Sequence, residues 1–187
     1  MNGKRVPEDK VEKIMEAIRI APSSIGLQSY SVIVIADPEL KNQILPVANN
    51  QLQIVASSHL LVFAAWDKIT TERVEDYISL NAEKRKVSLE SLDGLKSKLL
   101  NISKRSDEEN FELAARQAYI AFATGIAAAA EERVDATPME GFKGLRSLTL
   151  LPLGYREKEK NWLVNLPKVR REKENLFISE KVLLDKN

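Results

Sequence analysis

Val11, Ile14, Met15 and Ile18 recur at helical spacing behind Pro7, Glu8 and Asp9, which predicts an amphipathic helix over about 7–20 with acids in its first turn. A loop of small and polar residues, Ala21-Pro22-Ser23-Ser24-Ile25-Gly26, leads into residues 30–36, whose SVIVIA core predicts a buried strand. Asp37 then caps a second helix with Leu40, Ile44 and Leu45 on its apolar side and Pro46 as its limit. After Asn49-Asn50-Gln51 the pattern predicts a short helix to about Ser58. Residues 59–66, HLLVFAAW, are apolar without alternation, which suits a strand covered on both faces.

Further on, residues 70–86 place Val74, Tyr77, Ile78 and Ala82 on one helical face, and Ser88-Leu89-Glu90-Ser91 opens a helix carrying Leu92, Leu95, Leu99 and Leu100. The segment 107–133 is amphipathic at first, but its QAYIAFATGIAAAA portion is apolar nearly all round. Such a helix must be buried, and its small residues let another helix approach closely, from the same fold or from a second subunit. Residues 146–156 predict the last core strand, ending at Gly154, and residues 161–187 predict an extended tail over a surface. No repeats or low-complexity tracts interrupt the chain. At this length the chain fits one soluble domain or a compact pair.

Composition narrows the chemistry. The 187 residues carry 28 Lys plus Arg against 27 Asp plus Glu, a net charge of +1, so no concentrated basic face points to nucleic acid or an anionic membrane. With no Cys and His59 as the only His, thiol nucleophiles, iron–sulfur clusters and a transition-metal site are not expected, and His59, opening an apolar strand, is assigned to structure. The start MNGKRVPEDK has no apolar stretch, and the uncharged run 117–130 is too short and Ala-rich to cross a bilayer, which predicts a cytoplasmic protein. The seven glycines form neither GxGxxG nor GxxxxGK[ST].

Residues able to face a ligand collect in four loops: Pro22-Ser23-Ser24, Asn49-Asn50-Gln51, Pro138-Met139-Glu140-Gly141-Phe142, and Leu166-Pro167-Lys168-Val169-Arg170-Arg171. The last is open to two readings, a solvated basic turn or an anion clamp. The first three are equally compatible with a helix-terminal loop, a cap and a simple turn. Taken in order, however, APSSIGLQSY, ANNQLQIVASSHLLVFAA, VDATPMEGF, LPLGYR and LPKVRR resemble the FMN-dependent nitroreductase family, in the branch of oxygen-insensitive NAD(P)H nitroreductases and dihydropteridine reductases. The resemblance spans about residues 4–178.

That resemblance implies a single α+β nitroreductase-like domain over 1–187, a central mostly antiparallel sheet flanked by helices, in an intertwined homodimer with two FMN sites in the subunit interface and an extended tail from about 161–187 packed on the partner. It implies hydride transfer from NADH or NADPH to a nitroaromatic, quinone or pteridine by ping-pong exchange, with the flavin rather than a protein residue carrying the chemistry. Pro22, Ser23 and Ser24 would reach the flavin bound mainly by the other subunit. Asn50 would meet the polar edge of the ring. Gln53 stands where many relatives place a Lys, which implies weaker stabilisation of the reduced anionic flavin. Pro138, Glu140 and Gly141 would line the ring, with a backbone N–H there facing flavin N5, and Lys168 and Arg170 would face the phosphate; Arg171 is less firmly tied to it. Two departures stand out. The family carries a basic segment of the type RxSxRxF ahead of the GKRVPEDK equivalent, which this sequence does not contain, and further residues forming a short helix between the Phe142 and Lys143 equivalents. A Cα separation beyond one peptide bond is the expectation at Phe142–Lys143, with a similar interruption between Asn2 and Gly3. The competing expectation is a dimeric binding or scaffold protein that keeps this fold without stable FMN binding.

Overall fold

A computed structural model describes residues 1–140 and 147–157. Five helices and four strands follow in chain order: α1 Glu8–Arg19, β1 Tyr30–Ile35, α2 Pro38–Ile44, β2 His59–Ala65, α3 Thr71–Arg85, α4 Asp93–Ser103, α5 Asp107–Glu131, β3 Asp135–Ala136 and β4 Ser147–Gly154. The sheet is antiparallel with order β1-β2-β4-β3. Tyr30 pairs with Ala65 and Ile35 with Leu60 across β1 and β2, and His59 pairs with Leu153 across β2 and β4. The expected α+β architecture is therefore present.

Alternation along the central strands divides the core between the two faces of the sheet. Leu61, Phe63, Leu151 and Leu153 meet Val11, Ile14 and Ile18 of α1 and Ala121, Phe122 and Ala129 of α5 on one face. Leu60 and Leu150 meet Ala48, Ile54 and Met139 on the other. Phe63 and Phe122 pack edge to face at 5.3 Å. The α1–α5 contact is close because Gly125 faces α1: a Cβ there would lie 2.9 Å from Ile18 Cδ1. A third cluster joins Val74 and Ile78 of α3 to Leu92 and Leu99 and receives Leu27 and Ile69.

Local signals account for the helix ends. Thr70 and Asp37 accept from the N–H groups of Arg73 and Leu40, and Ser106 forms a reciprocal capping box with Glu109 at the start of α5. Pro7 occupies the N-cap of α1 with extended ψ rather than the first helical turn.

Several expectations are corrected. β1 is not buried: it is an edge strand, and Ile33 and Val34 are 53% and 41% exposed. Leu40 of α2 faces solvent while Lys41 is buried. Residues 51–58 form turns rather than a helix, because Asn49 and Asn50 both adopt left-handed backbone (φ 54° and 53°) and redirect the chain. The two-residue β3 is too short to leave a periodic signal. Consecutive N–H groups of Asn2 and Gly3 donate to Tyr155 O and Ala56 O, and no interruption separates them. Phe142, Lys143 and the tail from 161–187 lie outside the described residues. No helix among the described residues is long and apolar enough to cross a membrane.

Candidate functional site

The site begins where the second apolar cluster brings two distant segments together. Met139 bridges to Leu150 of β4 through a pair of backbone hydrogen bonds of 3.0 and 2.9 Å, and its side chain is buried with Ala48, Ile54 and Leu60. Residues 49–53 leave and re-enter that cluster. The left-handed pair Asn49 and Asn50 turns the backbone, the Asn50 N–H donates to Leu45 O at 3.0 Å, and the Ile54 N–H returns to Gln51 O at 3.0 Å. Asn50 and Gln53 are exposed on the segment between Ala48 and Ile54, and Pro138 and Glu140 are exposed on either side of the buried Met139.

On the opposite face of the sheet, α5 carries two polar side chains that meet neighbouring segments. Tyr119 donates its hydroxyl to Glu140 Oε1 at 2.7 Å, and burial together with that carboxylate pushes the Tyr119 hydroxyl up to about 12. It is a permanent donor at neutral pH, so it fixes the Glu140 carboxylate without taking charge from it. Two positions earlier, Gln117 accepts the Ser24 N–H at 2.6 Å through Oε1 and donates to Leu113 O at 3.3 Å through Nε2. Residues two apart on a helix point about 200° apart, so the loop of Pro22, Ser23 and Ser24 and the segment around Glu140 flank α5 on different sides. Pro22 and Ser24 are exposed and Ser23 half-buried, with Ser23 Oγ accepting the Gln28 N–H at 3.3 Å.

The structure thus anchors residues 49–53 and residues 138–140 to one apolar cluster, while the Glu140 side chain turns to Tyr119 of α5 and the loop of Pro22, Ser23 and Ser24 meets another side of that helix. Gly141, Lys168 and Arg170 lie outside the described residues. In the sequence, Gln117, Tyr119 and Tyr77 read only as parts of their helices, with no polar partner assigned to them. A Gln and a Tyr inside an otherwise apolar helix were the available signal, since a buried amide needs a partner.

Chemically, the two segments offer two exposed side-chain amides, one carboxylate oriented by Tyr119, and adjoining backbone. Such groups bind and orient a flat, polar-edged heterocycle. Among the described residues no cluster of His, Asp or Glu could hold a metal ion.

Comparison with known proteins gives this arrangement a family. The sequence pattern of the Nitroreductase family matches residues 2–161. YfkO of Bacillus subtilis (strain 168), provisionally named an NAD(P)H nitroreductase, is 30% identical over 149 residues, covering 75% of this chain and 67% of its own. The major NAD(P)H-flavin oxidoreductase of Aliivibrio fischeri is 25% identical over 195 residues, covering 94% of this chain and 89% of its own. The crystal structure of an Exiguobacterium sibiricum 255-15 protein, provisionally named a nitroreductase and solved in complex with FMN, shares the fold with a TM-score of 0.78 at 18% identity, over 94% of this chain and 88% of that one. A match over residues 2–161 takes in most of the 187-residue chain, and the chain belongs to the Nitroreductase family.

Proposed function

We propose that this protein is an FMN-dependent NAD(P)H oxidoreductase that takes hydride from NADH or NADPH and passes two electrons to a small acceptor such as a nitroaromatic, quinone or pteridine, donor and acceptor using one site in turn. The observation that supports this reading is the anchoring of residues 49–53 and residues 138–140 to one apolar cluster through Ala48, Ile54, Met139 and Leu150, with Asn50, Gln53 and Glu140 exposed on those segments. These residues fit an isoalloxazine edge: the amides of Asn50 and Gln53 can each donate and accept, matching its alternating carbonyl and N–H groups.

FMN, when bound, supplies the hydride chemistry. Asn50 and Gln53 bind the polar edge, and Pro138 and Glu140 border the ring with the Gly141 backbone. Tyr119 keeps the Glu140 carboxylate turned toward α5. Lys168 and Arg170 are the proposed phosphate ligands, Arg as a planar fork and Lys as a point charge. Pro22, Ser23 and Ser24, on the other side of α5, serve the flavin of a partner subunit.

A homodimer belongs to the proposal. Tyr119, Ile120, Ala123, Ala127 and Ala130 form an exposed stripe at helical spacing along α5, and β1 leaves its outer edge unpaired among the described residues. A second subunit covering both, with residues 161–187 packed on the partner, buries apolar surface and satisfies an open sheet edge. A cytoplasmic location, where NADH and NADPH are available as donors, belongs to the same proposal.

The test is anaerobic mixing of FMN-loaded protein with NADH or NADPH, followed by a quinone. Bleaching of the visible flavin band by the nucleotide and its recovery on adding quinone are the expected result. A band that neither nucleotide bleaches contradicts the proposal, and failure to retain FMN at all favours a binding or scaffold protein with this fold.

A further inference from the structure

The loop after α1 is held in a conformation its sequence does not favour. Ile25 has φ 63° and ψ 0°, Gly26 has φ 80° and Gln28 has φ 47°, so three residues within four are left-handed. For Gly26 this is ordinary, but for a β-branched residue such as Ile25 it is a steric outlier. Backbone of this kind persists only where the surroundings over-determine it, and it concentrates at functional sites.

Two distant elements over-determine it here. From α3, Tyr77 donates its hydroxyl to Ile25 O at 2.7 Å and lies against Gly26 so closely that a Cβ there would fall 2.3 Å from Tyr77 Oη. From α5, Gln117 accepts the Ser24 N–H at 2.6 Å, and the bond from its own Nε2 to Leu113 O fixes which amide atom faces the loop. Inside the loop, Ser23 Oγ accepts the Gln28 N–H, the Gln28 side chain donates to Arg19 O at 2.7 Å, and Leu27 is buried against Val74, Ile78 and Leu99. The braces grip the backbone of Ser24 and Ile25 and leave the outer surface of Pro22 and Ser24 free.

We infer that Tyr77 and Gln117 are positioning residues for flavin binding: they hold residues 23–28 in the left-handed arrangement that presents Ser23 and Ser24 to the cofactor. The inference rests on the FMN proposal above. Neither side chain need touch the flavin. Each acts by removing alternative loop conformations, so that the bound geometry is already populated before FMN arrives.

Four full-length proteins test it: wild type, Tyr77→Phe, Gln117→Met and Gln117→Glu, the last keeping an acceptor for the Ser24 N–H. FMN affinity is read by flavin fluorescence quenching, the environment of the bound ring by its visible absorbance, and folding by thermal melting of the apoprotein. Losing one net hydrogen bond from the loop weakens FMN binding about threefold to tenfold in Tyr77→Phe and Gln117→Met. Gln117→Glu recovers most of the affinity, and the bound-flavin band shifts in Gln117→Met. If wild type binds FMN while both Tyr77→Phe and Gln117→Met bind within twofold of it with an unchanged band, the positioning role is wrong and the FMN proposal stands. If wild type itself binds no FMN, both fall together. Should Gln117→Met not fold, Tyr77→Phe decides alone, since it removes one hydroxyl from a half-buried ring.

Discussion

His59 and Lys41 share a buried polar corner at the start of β2. Ser58 Oγ accepts the Val6 N–H at 2.8 Å and shares a 3.0 Å hydrogen bond with His59 Nδ1, and His59 Nε2 lies 3.9 Å from Glu8 Oε2. Lys41 donates to Ser57 O at 2.7 Å. Burial holds the His59 imidazole below its ordinary range; Glu8 opposes this, while Arg5 and Lys41 reinforce it. Because the folded value lies below the unfolded one of about 6.5, the unfolded chain binds more protons under mildly acid conditions. Stability from this residue is therefore full above pH 6.5 and is lost as pH falls through the folded value. Urea unfolding between pH 7.5 and 5 should show a falling midpoint in wild type and a shallower fall in His59→Gln; parallel curves would remove His59 as the cause. Gln53 carries a second prediction at this scale. Gln53→Lys adds a positive charge beside the proposed ring edge and should raise the two-electron flavin potential by about 20 mV, equivalent to roughly 1 kcal/mol. Redox titration against a dye of known potential reads it, and a fall in potential would contradict the placement of Gln53. Residue roles were legible where chemistry and exposure coincide, as at Asn50 and Glu140. They were illegible for Gln117, Tyr119 and Tyr77, whose work depends on partners 93, 21 and 52 positions away.

Periodicity located the longer elements because their own residues set them. α3 and α5 begin at side-chain caps, α1 follows Pro7, and all three keep their apolar spacing, while β2, which forms the central ladder with β4, reads as the fully apolar run that burial on both faces requires. Failures occur where neighbours decide. The apolar residues of β1 suggested a buried strand, yet its position at the sheet edge leaves Ile33 and Val34 outside. Residues 51–58 lack proline and carry apolar side chains, but Ser57 Oγ donates to Ile54 O at 2.6 Å and competes with helix formation. Two substitutions probe the helices. Ser106→Ala removes the capping box of α5 and should cost about 1 kcal/mol. Gly125→Leu forces a side chain against Ile18 and Leu151 and should cost about 1–3 kcal/mol by overpacking, despite the better helix propensity of Leu. Chemical denaturation measures both; a Gly125→Leu protein as stable as wild type would mean that α1 and α5 can separate freely.

At the scale of the whole molecule, α5 links core, site and proposed interface. Its inner face packs on α1, β2 and β4, Gln117 and Tyr119 reach the loop of residues 22–28 and Glu140 on different sides, and its outer stripe carries Ile120, 40% exposed. If a partner covers that stripe, Ile120→Glu places a charge in an apolar contact and should shift the particle from two chains to one while lowering FMN affinity, because residues 22–24 then no longer reach a partner's flavin. The Ala-rich outer stripe was visible in the sequence as a helix apolar on every side, but which side meets a second subunit depends on the fold and could not be read from spacing. The most direct test of the account is size-exclusion chromatography of FMN-reconstituted protein with in-line light scattering and visible absorbance. The account predicts one peak with the mass of two chains and one flavin per chain, whereas a flavin-free peak, or a flavin-loaded single chain, would contradict it.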